Sequence, residues 1–103
     1  MLQIIFYVPE EDAKKVKLAM FEAGGGRVGN YSHCSFESKG LGQFLPLKGA
    51  KPSIGEVGQV EQVVELKVEM VCKEELIHNV ILAMKKAHPY ETPAYSVIQM
   101  LNY

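Results

Sequence analysis

From Val64 to Cys72 the side chains alternate without a slip: Val64, Leu66, Val68, Met70 and Cys72 take one set of positions, and Glu65, Lys67, Glu69 and Val71 the other. Successive side chains of a strand point to opposite faces, so this segment predicts a strand with one face on a core and the other mostly wet. A sheet built of such strands needs cover on one side only. That favours helices packed on a single face of an antiparallel sheet.

Two helices are available to supply the cover. Pro9-Glu10-Glu11-Asp12 brings a proline and three acids suited to a helix's first turn, and Ala13, Val16, Ala19, Met20 and Ala23 recur at helical spacing. Gly24-Gly25-Gly26 then closes this helix, because glycine enters the left-handed conformation without penalty. Lys73-Glu74-Glu75 opens a second helix with an apolar stripe of Ile77, Val80, Ile81, Met84 and Ala87, and Lys85 and Lys86 sit favourably at its negative end. Pro89 disfavours helical dihedrals at His88, so the helix stops there or one residue earlier.

The remaining segments read as extended. Leu2 to Val8 is apolar apart from Gln3, which predicts a strand buried on both faces at the sheet centre. Val28 to Phe36 predicts a second strand, Ser38-Lys39-Gly40 a turn and Gly42 to Leu47 a short returning strand, so that the three form a hairpin. Lys48 to Gln59, with three glycines and a proline, predicts a long ordered loop, of the kind that is usually functional, oligomeric or mobile. Tyr95 to Leu101 predicts the last strand. With the hairpin as an elaboration of strand two, the order is β-α-β-β-α-β, an α+β ferredoxin-like sandwich with an antiparallel sheet.

Composition excludes several functions. A net charge of -1 and a pI near 6.3 provide no basic footprint for nucleic acid. No run approaches the roughly 20 apolar residues of a membrane span. The start of the chain carries no basic segment and reads as a strand rather than a signal peptide, so a cytoplasmic setting is expected. Cys34 and Cys72 are too few for a disulfide framework and make no CxxC pair, so reduced thiols are expected.

Motif readings run into context. Gly24, Gly26 and Gly29 spell the dinucleotide fingerprint G-x-G-x-x-G, but the glycines follow a helix instead of opening one, so no pyrophosphate would meet a helix N-terminus. Asn30-Tyr31-Ser32 spells a glycosylation acceptor, without meaning in a cytoplasmic chain. On a strand, the adjacent His33 and Cys34 would point to opposite faces and would not chelate one ion together. A metal site within the chain would need His33, His78, His88 or a carboxylate to converge from distant segments, with the helix-borne His78 the weakest candidate. Glu56, Glu61, Glu65, Glu69 and Glu91 read most simply as solubilising charges, Glu65 and Glu69 lying on the wet face.

His88 suits a helix C-terminus, where an imidazole bonds free carbonyls. The residues after it are denser in special chemistry than a helix stop requires. Prolines at 89 and 93 stiffen the segment and hold Tyr90 and Glu91 in a fixed display, which serves either a tight chain reversal or a preorganised contact surface.

Three separated segments carry a resemblance: Gly29-Asn30-Tyr31-Ser32-His33-Cys34-Ser35-Phe36, Gly49 to Gly58, and Ala87-His88-Pro89-Tyr90-Glu91-Thr92-Pro93-Ala94-Tyr95. In order and spacing they resemble the inserted domain of the Nif-three-like proteins, across nearly the whole chain. The resemblance implies that residues 1–103 form a single insert-type domain, related in fold to the trimeric signalling protein P-two and the divalent-cation tolerance protein CutA. The family's paired metal ligands lie outside this insert, so the resemblance brings none to this chain. Thr92 and Ser96 stand where members often carry acids.

The expectation is a non-enzymatic binding or regulatory module that self-associates, as a trimer by the resemblance, with another protein or a small ligand as further partner. Its ligand candidates are His33, Cys34, His88, Tyr90 and Glu91, and its loop candidates Gly49, Pro52, Gly55, Glu56 and Gly58. The alternative is a divalent ion, the one cofactor considered, held at a subunit interface by His33, Cys34, His88 and Glu91, with hydrolysis of a small substrate.

Overall fold

The structure, a computed structural model, describes residues 1–103. Strand β1 runs over Leu2–Pro9, helix α1 over Ala13–Glu22, β2 over Phe36–Phe44, β3 over Glu61–Cys72, helix α2 over Ile77–Ala87 and β4 over Tyr95–Gln99. The strands form one antiparallel sheet in the order β2-β3-β1-β4, with α1 and α2 packed on one face, which is the ferredoxin-like arrangement. No helix is long and apolar enough to cross a membrane.

Both acid-rich helix starts form a 3-10 turn first, over Glu10–Asp12 and Glu74–Leu76. Helix α1 ends in a Schellman arrangement. Gly25 N–H donates to Met20 O and Gly24 N–H to Phe21 O, with Gly24 at φ 108°. These glycines thus close a helix and turn the chain towards β3, where Gly26 N–H donates to Val71 O at 2.8 Å.

The core lies between helices and sheet. Ile4, Phe6 and Val8 of β1 and Leu66, Val68, Met70 and Cys72 of β3 bury against Val16 and Met20 of α1 and Val80 and Met84 of α2. Fully burying a side chain of this size is worth about 1.5–3 kcal/mol, so these alternating positions carry the fold. Both cysteines are free, and burial, with Glu75 in support, raises the pKa of the Cys72 thiol.

Two expectations are corrected. The 28–36 strand and the turn at Ser38-Lys39-Gly40 do not exist. Residues 28–35 are irregular apart from a Val28–Tyr31 bridge, and β2 passes straight through Gly40, which pairs with Glu65. The 12-residue β3 offers a long edge, and nine consecutive pairings from Phe36–Glu69 to Phe44–Glu61 outweigh a local turn preference. β2 and β3 themselves are the hairpin, joined by residues 45–60. The second correction concerns β1, which is central as expected but buried on one face: Gln3 and Ile5 are half-buried and Tyr7 is exposed on the other. No helix covers that second face.

The β2–β3 ribbon outruns β1, whose pairing with β3 ends at Pro9–Glu65, and the molecule measures 46 × 24 × 24 Å. The connecting loop folds back towards the sheet. Gly58 N–H donates to Pro46 O at 2.8 Å across its neck.

Candidate functional site

Where β4 begins, β1 still has one residue whose backbone faces that edge without a strand partner. Tyr7 N–H donates to Ala94 O at 3.3 Å, and Tyr7 O accepts from His88 Nε2 at 2.7 Å. The imidazole therefore completes the ladder that β4, starting at Tyr95, is too short to complete. Its other nitrogen is also committed: Tyr90 N–H donates to His88 Nδ1 at 3.1 Å. A backbone N–H only donates and a carbonyl only accepts, so the ring is the neutral tautomer with its proton on Nε2. Burial lowers the His88 pKa, against the raising effects of the Tyr7 carbonyl, Glu65 and Asp12. The conformation at His88, φ -70° and ψ 138°, is the extended one that Pro89 demands.

With His88 anchored, the prolines carry Tyr90 back over the uncovered sheet face. The Tyr90 ring lies 5.0 Å from that of His88 and 5.8 Å from that of Phe44, and its hydroxyl donates to Glu65 Oε2 at 2.9 Å. Burial and the bond to Glu65 push the phenol pKa well above its usual value, so the phenol remains a donor. Glu91 turns the other way and ties down the long loop, its Oε1 accepting from Lys51 N–H at 2.9 Å.

These contacts enclose a cleft of about 340 Å³. Its floor is the uncovered sheet face at Tyr7, Gly42, Phe44 and Glu65; its walls are loop residues from Pro46 to Ile54 on one side and Tyr90 to Ala94 on the other. Gly42 leaves open the space that the Glu65 carboxylate occupies, because a Cβ there would overlap the carboxylate and push it aside. Small size at 42 thus lets Glu65 reach under Tyr90.

The expected site residues divide. Tyr90, Glu91 and Pro52 line the cleft, and His88 supports it from behind. Gly49, Gly55 and Gly58 shape the loop at positive φ, and with Glu56 they do not line the cleft. His33 and Cys34 lie elsewhere. His33 sits in a left-handed conformation (φ 59°), its ring 4.8 Å from that of Phe21 and its Nδ1 3.0 Å from Ser32 Oγ, and Cys34 N–H donates to Gly26 O. This corrects the placement of the pair on opposite faces of a strand. No three His, Cys, Asp or Glu side chains of the chain come together as a metal-binding group. Glu65 lies on the uncovered face, as the alternation predicts, and is also a cleft residue, beside Tyr7, Gly42 and Phe44, which carry no sequence signal of a site. Only the registers of β1 and β2 on β3 bring them to one face beside Glu65.

Fold and cleft together define a ferredoxin-like α+β module with an uncovered sheet face. CutA1 from Pyrococcus horikoshii has the same fold, with a TM-score of 0.71 over 100% of this chain and 86% of that one, at 18% identity. A Bacillus cereus protein related to NIF3 matches more closely, with a TM-score of 0.83 and 40% identity over 98% of this chain and 26% of that one. Proteins called GTP cyclohydrolase 1 type 2 homolog are 48% identical over 95 residues in Bacillus subtilis and 47% identical over 97 residues in Mycobacterium tuberculosis. These alignments cover 92% and 94% of this chain, which spans 26% of the length of either relative. No protein-family model matches the chain. Over nearly all of its length the chain thus corresponds to a segment of NIF3-related proteins, about a quarter of theirs.

Proposed function

We propose that this chain is a cytoplasmic, non-enzymatic binding module that self-associates, as a trimer, and holds a small ligand in the cleft between the 45–60 loop and the His88–Ala94 segment. The observation that carries this reading is the preorganised cleft: two X-Pro bonds, the His88 bridge to Tyr7 and the Glu91 tie to Lys51 hold its walls in place before any ligand arrives. Binding is favoured over turnover because the one nearby imidazole has both nitrogens committed to backbone groups and the Tyr90 phenol is held protonated. Self-association is supported by the apolar residues left in the open, among them Phe36 and Ile98 on the uncovered face, together with the resemblance to trimeric relatives.

A screen of neutral, cationic and anionic fragments by amide chemical shifts tests the binding reading. Shifts at Ile54, Tyr90 and Glu91 support it, and a library that moves none of them at millimolar concentration refutes it. Light scattering over a wide concentration range tests assembly: a strictly monomeric mass removes the trimer.

A second reading, a divalent ion shared between copies, draws on the exposed His33 beside the half-buried Cys34. His88 is no longer available to it, so a neighbouring copy would supply the missing ligands. Metal content of untagged protein, with thermal stability before and after chelator, decides.

A further inference from the structure

The groups facing the cleft share one electrostatic character. Its lining holds two carboxylates, Glu65 and Glu91, three aromatic rings, Tyr7, Phe44 and Tyr90, and no lysine or arginine. Glu91 Oε1 is engaged with Lys51 N–H, and Glu65 Oε2 with the Tyr90 hydroxyl, which leaves Glu65 Oε1 as the acceptor lying over Gly42 on the floor. Lys67, two residues further along β3 on the same face, forms no ion pair with Glu65; the chain's two ion pairs are Lys17–Glu37 and Lys39–Glu10. A carboxylate without a cationic partner, in a cleft also lined by aromatic rings whose faces attract positive charge, suits a cation. Ile54, Pro46, Pro52 and Ala94 add apolar walls that a bare metal ion would not use.

We infer that the cleft is a receptor for a small organic ammonium ion, its apolar or aromatic body between Phe44, Ile54 and Tyr90 and its charged nitrogen on Glu65. This rests on the binding reading proposed above and adds the chemical class of the ligand. Gly42 and Tyr90 act as positioning residues, the first by leaving room for the carboxylate and the second by orienting it.

The test uses three probes that share an indole ring and differ in charge: tryptamine, tryptophol and indole-3-acetate, titrated into the chain by calorimetry with amide shifts to locate binding. Tryptamine is expected to bind about tenfold more tightly than tryptophol, as for a hydrogen bond gained by a charged group, and indole-3-acetate more weakly than either. Glu65→Gln, which keeps an acceptor for Tyr90, is expected to bring tryptamine down to the affinity of tryptophol. Gly42→Ala, which displaces the carboxylate without removing its charge, is expected to lose most of the same preference while remaining folded by circular dichroism.

Equal affinity for the three probes, a preference for indole-3-acetate, or an undiminished preference for tryptamine in Glu65→Gln overturns the ammonium assignment and leaves the cleft as a binding site of another kind. Failure of all three probes, together with every fragment of the wider screen, to move the cleft amides overturns the binding reading itself.

Discussion

The two faces of the sheet are made by the same strands and differ in almost everything else. On the helix-covered face, Ile4, Phe6 and Val8 of β1 alternate into register with Leu66, Val68 and Met70 of β3, and all six are buried. On the other face the interleaved positions carry Gln3, Ile5, Tyr7, Glu65, Lys67 and Glu69, half-buried or exposed, with polar contacts such as Gln3 Nε2 donating to Glu69 Oε1 at 3.2 Å. One face supplies cohesion, and the other presents chemistry. A strand can serve both because its two-residue period separates the two sets of side chains completely.

The sharpest way to break this comparison is to truncate one residue from each face. Phe6→Ala removes a fully buried ring and is expected to cost about 3–5 kcal/mol, enough to unfold much of a domain of this size. Urea denaturation measures it, and a loss below about 1 kcal/mol would mean that the covered face is not the main source of stability.

The next effect tests the junction between the faces, where His88 bridges helix α2 to β1. Because the folded chain holds the imidazole neutral and its pKa below the ordinary 6.5, the unfolded chain takes up the proton first on acidification. This contribution is fully present above the unfolded value, and is lost as pH falls through the depressed folded value. His88→Gln is expected to lower stability at neutral pH by about 1–3 kcal/mol and to flatten the decline between about pH 7 and pH 5. Parallel urea midpoints across that range read it; His33 and His78 are common to both proteins and cancel. An unchanged slope would show that His88 is not the group that couples folding to acid.

The smallest effect is expected on the open face. Ile98 is 46% exposed, and Ile98→Ser should change stability by no more than about 1 kcal/mol in a dilute monomer. A larger, concentration-dependent loss would sharpen the comparison in a different direction, showing that a second copy covers this face in solution.

Much of the fold is legible in the residue pattern, and the exceptions are informative. The alternation of Val64 to Cys72, the stripe from Ile77 to Ala87 and the proline after His88 each act within one segment, so local periodicity suffices to read them. Ser38-Lys39-Gly40 fails because its turn signal is local while the competing pairing is not: Gly40 is held opposite Glu65 by ladder bonds on either side. His33 fails for a related reason. Its neighbourhood looks extended in sequence, but the Val28–Tyr31 bridge and the bond from Cys34 to Gly26 fold it against α1.

The candidate site was legible in part. The segment from His88 to Tyr95 stands out through two prolines and clustered polar and aromatic groups, and the structure gives His88, Tyr90 and Glu91 each a task. Glu65 is invisible as a site residue because nothing in its strand distinguishes it from Glu69; only the crossing of Tyr90 overhead does. The sequence alone, through short-range periodicity and stereochemistry, determined an antiparallel sheet covered by two helices, the end of α2 at His88 and the rigidity of the proline-bounded segment beyond it. The tertiary structure alone decided that Gly42 lies beneath Glu65, that Tyr90 reaches that carboxylate and that the 45–60 loop closes the cleft. Those contacts join residues 23 to 40 positions apart, and register between distant strands is set by the whole sheet rather than by any one segment.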